Sequence, residues 1–246
     1  MAAYLVFCYE YPPIGGGAGR ALHQMARRWV RAGHRVDVVT SHFGDLPGRE
    51  EVDGVRLIRL RCGRKRASQA RVSEMVRYMV KSCLGARQWV RTIRPDLCIA
   101  FMTIPSGPAP YWIRFRFGIP YVTFLRGGDV PGFDPEKLKA YHRLTRGVIL
   151  RIWKRSRAII ANSGGLAELA RQSCPDFSFG IVPNGVDIGK NAQSDKVKSH
   201  RRLRLIFVGR LADSQKNAST LLRGLTAFRD AELEMIGDGP DRSYLE

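Results

Sequence analysis

The chain has 246 residues, 44% of them hydrophobic and 26% charged, which suits a soluble protein of one or two domains with a hydrophobic core. Forty-one lysines and arginines against 22 acidic residues give a net charge of +19. This charge favours an anionic partner, such as a nucleic acid, a membrane surface or a phosphorylated small molecule, although a merely basic surface is the simpler interpretation. The composition excludes a membrane-spanning protein, because no apolar run approaches the roughly 20 residues of a span.

The cysteines indicate the compartment. None of the five is paired as C-x-x-C, and the odd count argues against a disulfide framework. The amino terminus also lacks the basic stretch of a signal peptide. We therefore expect buried thiols in a reducing, cytoplasmic setting, with peripheral attachment to the cytosolic face of a membrane left open.

Short apolar runs alternate with helical periods along most of the chain. The runs that predict strands are 3–10, 35–41, 54–60, 95–102, 119–127, 158–163 and 179–185. Helical spacing covers 19–34, 67–94 and 136–156, and a short helix separates the last two strands. Strands that alternate with helices predict an α/β fold with a doubly wound, Rossmann-like parallel sheet.

The segment 67–94 predicts a long helix with one apolar stripe. The stripe consists of Val72, Met75, Val76, Met79, Val80, Cys83 and Leu84. Such a stripe is typical of an amphipathic helix.

A change of composition predicts a domain boundary. Residues 1–186 form the first domain, and the polar, basic segment 187–203 predicts a linker. The strand-helix pattern then restarts and continues to residue 246 as a β-α-β fragment, which is smaller than a typical domain with its own core. The sequence thus predicts a second, incomplete Rossmann-like domain over 204–246.

A glycine-rich loop follows the first predicted strand. Gly15, Gly16, Gly17 and Gly19 precede a helix, where free backbone N–H groups can bind phosphate. The spacing differs from the dinucleotide fingerprint, and a tight β-α turn would explain the same glycines.

Two further loops lie where predicted strands end. Arg126 and Asp129 follow one strand at the edge where open parallel sheets bind ligands, although an aspartate turn is the alternative. Asn184 and Gly185 follow another strand and are also typical of a plain hinge turn.

The most specific pattern lies in the second domain. Gly209 ends a strand, Arg210 follows it, and Lys216 comes just before the next helix. Two cations that face the same crevice can bind a diphosphate, although solvated surface charge is the alternative for both. Gly237 and Gly239 follow the next strand and allow close approach to a ligand.

Taken in order, the segments "GGGAG", "ANS", "VPNGVD", G-R-x5-K from Gly209 to Lys216, and "IGDGP" resemble a family 4 glycosyltransferase of the GT-B fold. The resemblance implies two Rossmann-like domains and retaining transfer of a sugar from a nucleotide-diphosphate sugar, the co-substrate, to a glycan or lipid-linked acceptor. It also implies a role in the synthesis of cell-surface polysaccharide or lipopolysaccharide.

The resemblance also assigns roles. Arg210 and Lys216 would hold the donor diphosphate and stabilise the leaving group. The loop Gly15–Gly19 would approach the donor phosphates, and Gly209, Gly237 and Gly239 would lie near the nucleotide. Arg126 and Asp129 would be the catalytic pair. No Asp-x-Asp is present, which agrees with cations in place of a metal, so we expect no metal and no cofactor beyond the co-substrate.

Two departures from the family pattern stand out. Relatives carry His-Gly-x-Asp where this chain has Arg126-Gly127-Gly128-Asp129, and a guanidinium does not reproduce the hydrogen bonding of a neutral imidazole. Relatives also carry a Glu-x7-Glu segment beyond the position of residue 246. We therefore expect a truncated enzyme that is inactive by itself.

The basic residues suggest further partners. The cations of 143–157 lie among apolar residues, which suits an anionic membrane surface, although a helix packed on the sheet needs the same apolar face. Nucleic-acid binding would use a second cluster, Lys196, Lys198, Arg201, Arg202 and Arg204, but no nucleic-acid motif supports it. A non-catalytic remnant that binds an acceptor or an anionic partner is the remaining alternative.

Overall fold

The computed structural model describes residues 1–67, 70–185, 203–228 and 230–246. The chain divides into two compact units, Met1–Val186 and Asp187–Glu246. The predicted linker lies outside the described residues except for Leu203, which already belongs to a strand.

The first unit is built on an eight-stranded sheet. The strands are β1 (Ala3–Phe7), β2 (Arg35–Ser41), β3 (Arg49–Val52), β4 (Val55–Leu60), β5 (Leu97–Phe101), β6 (Tyr121–Phe124), β7 (Ala158–Ala161) and β8 (Phe179–Ile181). Their order is β3-β4-β2-β1-β5-β6-β7-β8, and all neighbours are parallel except the antiparallel pair β3 and β4. The predicted doubly wound parallel sheet is confirmed.

Five helices cover the two faces of this sheet. They are α1 (Gly17–Arg31), α2 (Val72–Ile93), α3 (Pro108–Phe117), α4 (Pro135–Arg155) and α5 (Gly164–Ser173). Leu5 and Phe7 of β1 enter the core shared with α2 to α5, whereas Val6 and Cys8 enter the core beneath α1. Successive side chains of a strand point to opposite faces, so α1 lies on one face and the other four helices lie on the opposite face.

Two elements of the first unit escaped prediction. Strand β3 reads Arg-Glu-Glu-Val, and its charged residues are permitted because it is the antiparallel edge of the sheet. Helix α3 begins Pro-Ala-Pro, and proline is tolerated in the first turn because its missing N–H has no partner there.

The apolar stripe predicted for the long helix does not match its buried face. The buried residues of α2 are Glu74, Tyr78, Ser82, Ala86, Trp89 and Ile93. Tyr78 Oη donates to the carbonyl of Val39 at 2.8 Å, and the Glu74 carboxylate accepts the N–H of Arg71 at 2.9 Å. The buried face is thus mixed polar and aromatic, with partners for Glu74 and Tyr78 but none for Ser82 Oγ among the described residues. Val72, Val76 and Val80 are exposed.

The second unit contains a two-stranded parallel sheet. Its described elements are β9 (Leu203–Val208), α6 (Asp213–Lys216), α7 (Ala218–Leu225), β10 (Ala231–Ile236) and α8 (Arg242–Leu245). Within the described ranges of the chain, no helix has both the length and the apolarity to cross a bilayer.

Candidate functional site

Asp129 organises the carboxyl-end edge of the first sheet. Its buried carboxylate accepts from the backbone N–H groups of Arg126 and Gly127 through Oδ1, at 2.9 and 3.1 Å. Its Oδ2 accepts from the N–H and the hydroxyl of Thr103, at 2.7 and 3.0 Å. Trp153 Nε1 then donates to the same hydroxyl at 2.8 Å. Asp129 therefore joins the loops that follow β5 and β6 and connects them to α4.

Arg126 lies beside this carboxylate with its guanidinium directed along the edge. Its Nη2 donates to Asn184 Oδ1 at 2.7 Å, and its Cζ lies 4.9 Å from the ring centroid of Phe101. Burial lowers the pKa of Arg126, and the nearby Asp129 carboxylate opposes that shift. The sheet edge thus brings together Arg126, Asp129 and Asn184, the three polar side chains that the sequence placed at strand ends.

The four glycines of the first loop fall into two groups. A Cβ on Gly15 would lie 2.5 Å from Glu10 Cβ, and Gly15 also has a φ of +92°. A Cβ on Gly19 would lie 3.1 Å from the Glu10 carbonyl. Gly17 meets nothing within 4 Å, and Gly16 meets only a Glu10 oxygen at 4.0 Å. Gly15 and Gly19 are therefore explained by packing, whereas Gly16 and Gly17 border open space.

Glu10 was not identified from the sequence. Its Oε2 accepts the N–H of Gly16 at 2.9 Å, next to the start of α1. A carboxylate is favourable at a helix N-terminus, so Glu10 takes part of the place predicted for phosphate. The remaining first-turn N–H groups of α1 have no intrahelical acceptors. An acid three residues beyond a strand was the only sequence signal.

Two buried arginines support the glycine loop, and they also escaped sequence reasoning. Arg59 Nη2 donates to the Pro12 carbonyl at 3.3 Å. Arg64 donates to the Ala67 carbonyl at 2.9 Å, and the same carbonyl accepts the N–H of Gly15. Arg59 lies between apolar residues and Arg64 lies in a run of cations, so neither role is evident from the sequence.

In the second unit, Arg210 and Lys216 follow the carboxyl end of β9. Both side chains are exposed, and neither has an ion-pair partner among the residues that the structure describes. Lys216 is the last residue of α6, one position before the cap of α7. Asp213 accepts from the N–H and hydroxyl of Ser219 at 2.7 and 2.6 Å, which fixes the turn that carries Lys216.

The neighbouring glycines of this unit are required by close backbone approach. A Cβ on Gly237 would lie 1.8 Å from the Gly209 carbonyl oxygen, and a Cβ on Gly239 would lie 2.1 Å from that of Leu211. These glycines let the loops after β9 and β10 close on each other, with Leu211 N–H donating to the Asp238 carbonyl at 3.1 Å. Gly209 itself would meet only ordinary contacts.

Solved structures that resemble the chain include glycosyltransferases of the GT-B fold. A sucrose-phosphate synthase from Thermosynechococcus elongatus superposes with a TM-score of 0.75 at 17% identity, over 98% of this chain and 64% of that one. WaaG, a glycosyltransferase involved in lipopolysaccharide biosynthesis, gives 0.62 at 16% identity, over 98% of this chain and 65% of that one. These likenesses establish the α/β, GT-B class of fold.

The family follows from the sequence match. The model of the glycosyl transferase 4-like domain matches residues 16–185, so the chain belongs to that family. A Bacillus subtilis protein named as the teichuronic acid biosynthesis glycosyltransferase TuaC is 27% identical over 168 residues, 63% of this chain and 41% of its own length. The glycosyltransferase MJ1607 of Methanocaldococcus jannaschii is 25% identical over 97% of this chain and 63% of its own. The chain thus spans less than two thirds of these relatives.

Proposed function

We propose that the protein transfers a sugar from a nucleotide-diphosphate sugar to a glycan or lipid-linked acceptor, with retention of configuration and without a metal ion. The observation that carries the proposal is the exposed pair Arg210 and Lys216 at the carboxyl end of β9. Ligands bind at this edge of open α/β sheets. Family membership and the names of TuaC and WaaG support a role in building cell-surface glycans.

The two cations supply the electrostatic part of the reaction. Negative charge accumulates on the departing diphosphate as the bond between the sugar and its phosphate oxygen breaks. A guanidinium donates paired hydrogen bonds to phosphate oxygens, and an ammonium adds a compact charge. These contacts strengthen as the negative charge grows, so they lower the activation barrier of the transfer. In other enzymes a metal ion performs this task.

The first unit supplies the polar groups for the sugar or the acceptor. Arg126 donates from Nη2 to Asn184, and its Nε is buried without a hydrogen-bond partner among the described residues, so Nη1 carries the donors that we propose for hydroxyl groups. Both carboxylate oxygens of Asp129 already accept hydrogen bonds from the protein. Its part in the proposed reaction is therefore to position Arg126 and the loop. Gly17 borders open space, where its backbone N–H can approach phosphate, whereas the N–H of Gly16 is donated to Glu10.

We further propose that the protein works at the cytosolic face of a membrane. A lipid-linked acceptor is presented there, and the exposed arginines of α4 can interact with anionic lipids.

Nucleotide titration tests the donor assignment. We expect Arg210→Ala and Lys216→Ala each to weaken binding of UDP, GDP or ADP, whichever binds best, by about tenfold or more, because charge-assisted phosphate contacts contribute about 1.5–3 kcal/mol each. Arg223→Ala, which removes an exposed cation from α7 of the same unit, is the matched control and should change little. Equal losses in all three variants would indicate a general charge effect and contradict the assignment.

A further inference from the structure

Helix α2 presents an apolar stripe to its surroundings. The stripe consists of Val72, Val76, Val80 and Leu84, with exposed fractions of 66%, 44%, 52% and 76%. Residues at this four-residue spacing follow one another along a helix surface. Single exposed apolar residues are ordinary, but a continuous row of them marks an interaction site. The opposite face of α2 already packs on the sheet, so the stripe is not needed for the core.

The two neighbouring helices extend this apolar surface. Helix α2 packs beside α3, and α3 packs beside α4, on the same face of the sheet. Phe115 of α3 is 85% exposed, and Leu144 and Val148 of α4 are 86% and 43% exposed. We call the exposed residues of α2, α3 and α4 together the three-helix face.

The three-helix face is strongly basic. Helices α2, α3 and α4 carry four, two and seven lysines and arginines. Their two acids are Glu74, which is buried and bonded to backbone at the start of α2, and Glu136 in the first turn of α4. The three helices therefore combine exposed valine, leucine and phenylalanine side chains with many cations and almost no negative charge.

A cavity of about 640 Å³ opens where α3 meets the end of α4. It is lined by Tyr111, Arg114, Phe115, Gly118, Lys154 and Arg155. Arg114 Nη1 donates to the Gly118 carbonyl at 2.5 Å, which holds one of the three cations in place. Three cations, a hydroxyl and an aromatic ring are the donors and the apolar wall that suit a phosphate joined to an acyl chain.

We propose that the three-helix face docks on an anionic phospholipid bilayer, with the α2 stripe and Phe115 entering the interface and one lipid phosphate lying in the cavity. The inference deepens the proposed function, because it gives the proposed membrane attachment a surface. It rests on the proposed place of action and not on the transfer chemistry.

Charge and apolarity together select a bilayer as the occupant. A second copy of the chain would place one basic face against another, which like-charge repulsion opposes. A nucleic acid would satisfy the cations but would leave the apolar stripe exposed to water. An anionic bilayer satisfies both, because its headgroups attract the cations and its interface accepts the apolar side chains.

Vesicle co-sedimentation with the intact chain tests the docking surface. We expect binding to phosphatidylcholine vesicles that contain phosphatidylglycerol, weak binding to pure phosphatidylcholine, and loss of binding as salt rises. Arg151→Glu/Lys154→Glu should lower binding by at least about tenfold. Arg28→Glu/Arg31→Glu on α1, on the opposite face of the sheet, changes the charge equally and should retain most binding. Val80→Ser/Leu84→Ser should weaken binding several-fold at every salt concentration, because it removes apolar contact.

A second pair of variants tests the cavity. Lys154→Gln/Arg155→Gln and Arg143→Gln/Arg146→Gln each remove two cations from α4, but only the first pair lines the cavity. We expect a larger loss of vesicle binding from the first pair. Equal losses would mean that the cations of the cavity act only as general surface charge, and this result would overturn that part of the proposal. Circular dichroism identifies any variant that fails to fold. If the α4 variants do not fold, the α2 variant still tests the docking surface, and the reverse also holds.

Three results would overturn the docking proposal. They are equal loss of binding by the α1 control, equal binding to neutral vesicles, and a stable dimer in light scattering that Val80→Ser/Leu84→Ser dissociates. None of these measurements involves a nucleotide, so failure here leaves the donor assignment standing, and failure of nucleotide titration leaves the docking surface standing.

Discussion

At the scale of single residues, the structure separates the groups that hold the site from the groups that are open to a ligand. Asp129 accepts four hydrogen bonds from the protein, whereas Arg210 and Lys216 are exposed. Asp129 was selected from the sequence because acids at strand ends often act on substrates, but aspartate also shapes loops. Its contacts favour the loop role, and its catalytic role stays a prediction.

We expect Asp129→Asn to destabilise the first unit. The carboxylate accepts hydrogen bonds from backbone N–H groups and a hydroxyl, and the substitution places an NH₂ donor opposite some of these donors. A buried mismatch of two donors costs about 2 kcal/mol or more of the free energy of unfolding. Asp176→Asn, at an exposed position of the same unit, should leave the free energy of unfolding unchanged. Chemical denaturation measures both. Unchanged stability of Asp129→Asn, with weaker substrate binding, would mean that the carboxylate serves the substrate directly.

At the residue scale, a local pattern selects candidate residues, whereas contacts set by the loop conformation are not visible in the sequence. The glycine loop and the G-R-x5-K pattern could be identified because their spacing is local. Arg59 could not, because its contact with the Pro12 carbonyl joins residues that are 47 positions apart. Glu10 and Arg64 bind backbone groups only six and three positions away, but such contacts depend on the loop conformation and follow no recognisable pattern. The same limit explains why sequence could not separate Gly16 and Gly17 from Gly15 and Gly19.

At the scale of elements, α2 has the most informative difference between sequence and structure. The exposed part of its apolar stripe consists of Val72, Val76, Val80 and Leu84, whereas Met75 and Cys83 pack against the core. Its buried face includes Glu74, Tyr78 and Ser82. Periodicity locates a helix but assumes that the apolar side is buried. A helix that carries an interaction surface exposes apolar residues instead. A difference of this kind between the periodicity rule and the structure is expected at functional sites.

Unfolding measurements on α2 distinguish the two faces. Val76→Ala and Val80→Ala should leave the free energy of unfolding unchanged or raise it by a few tenths of a kcal/mol, since alanine is the better helix former and little contact is lost. Tyr78→Phe removes the hydrogen bond to the Val39 carbonyl and should cost about 1 kcal/mol. If the valine variants instead lose 1 kcal/mol or more, the stripe is buried and the docking surface is wrong.

At the scale of the whole molecule, we propose two separate anionic partners for the charge of +19. In the first unit, cations are concentrated on α2, α3 and α4, where they suit an anionic bilayer. In the second unit, Arg210 and Lys216 suit a diphosphate. The fold class could be predicted because strands and helices alternate in the sequence. Of the cationic cluster behind the nucleic-acid alternative, only Arg204 lies within the described residues, and its Nε lies 3.7 Å from Glu232 Oε2.

The preference for a diphosphate over a monophosphate tests the central claim most directly. Calorimetric titration of the intact chain with UDP and UMP, or with the matching adenosine or guanosine pair, should show at least about tenfold tighter binding of the diphosphate, since the second phosphate adds charge-assisted contacts. A chelator should not change this ratio, and Arg210→Ala/Lys216→Ala should abolish it. A preference that disappears in chelator, or that persists in the double variant, would contradict the account.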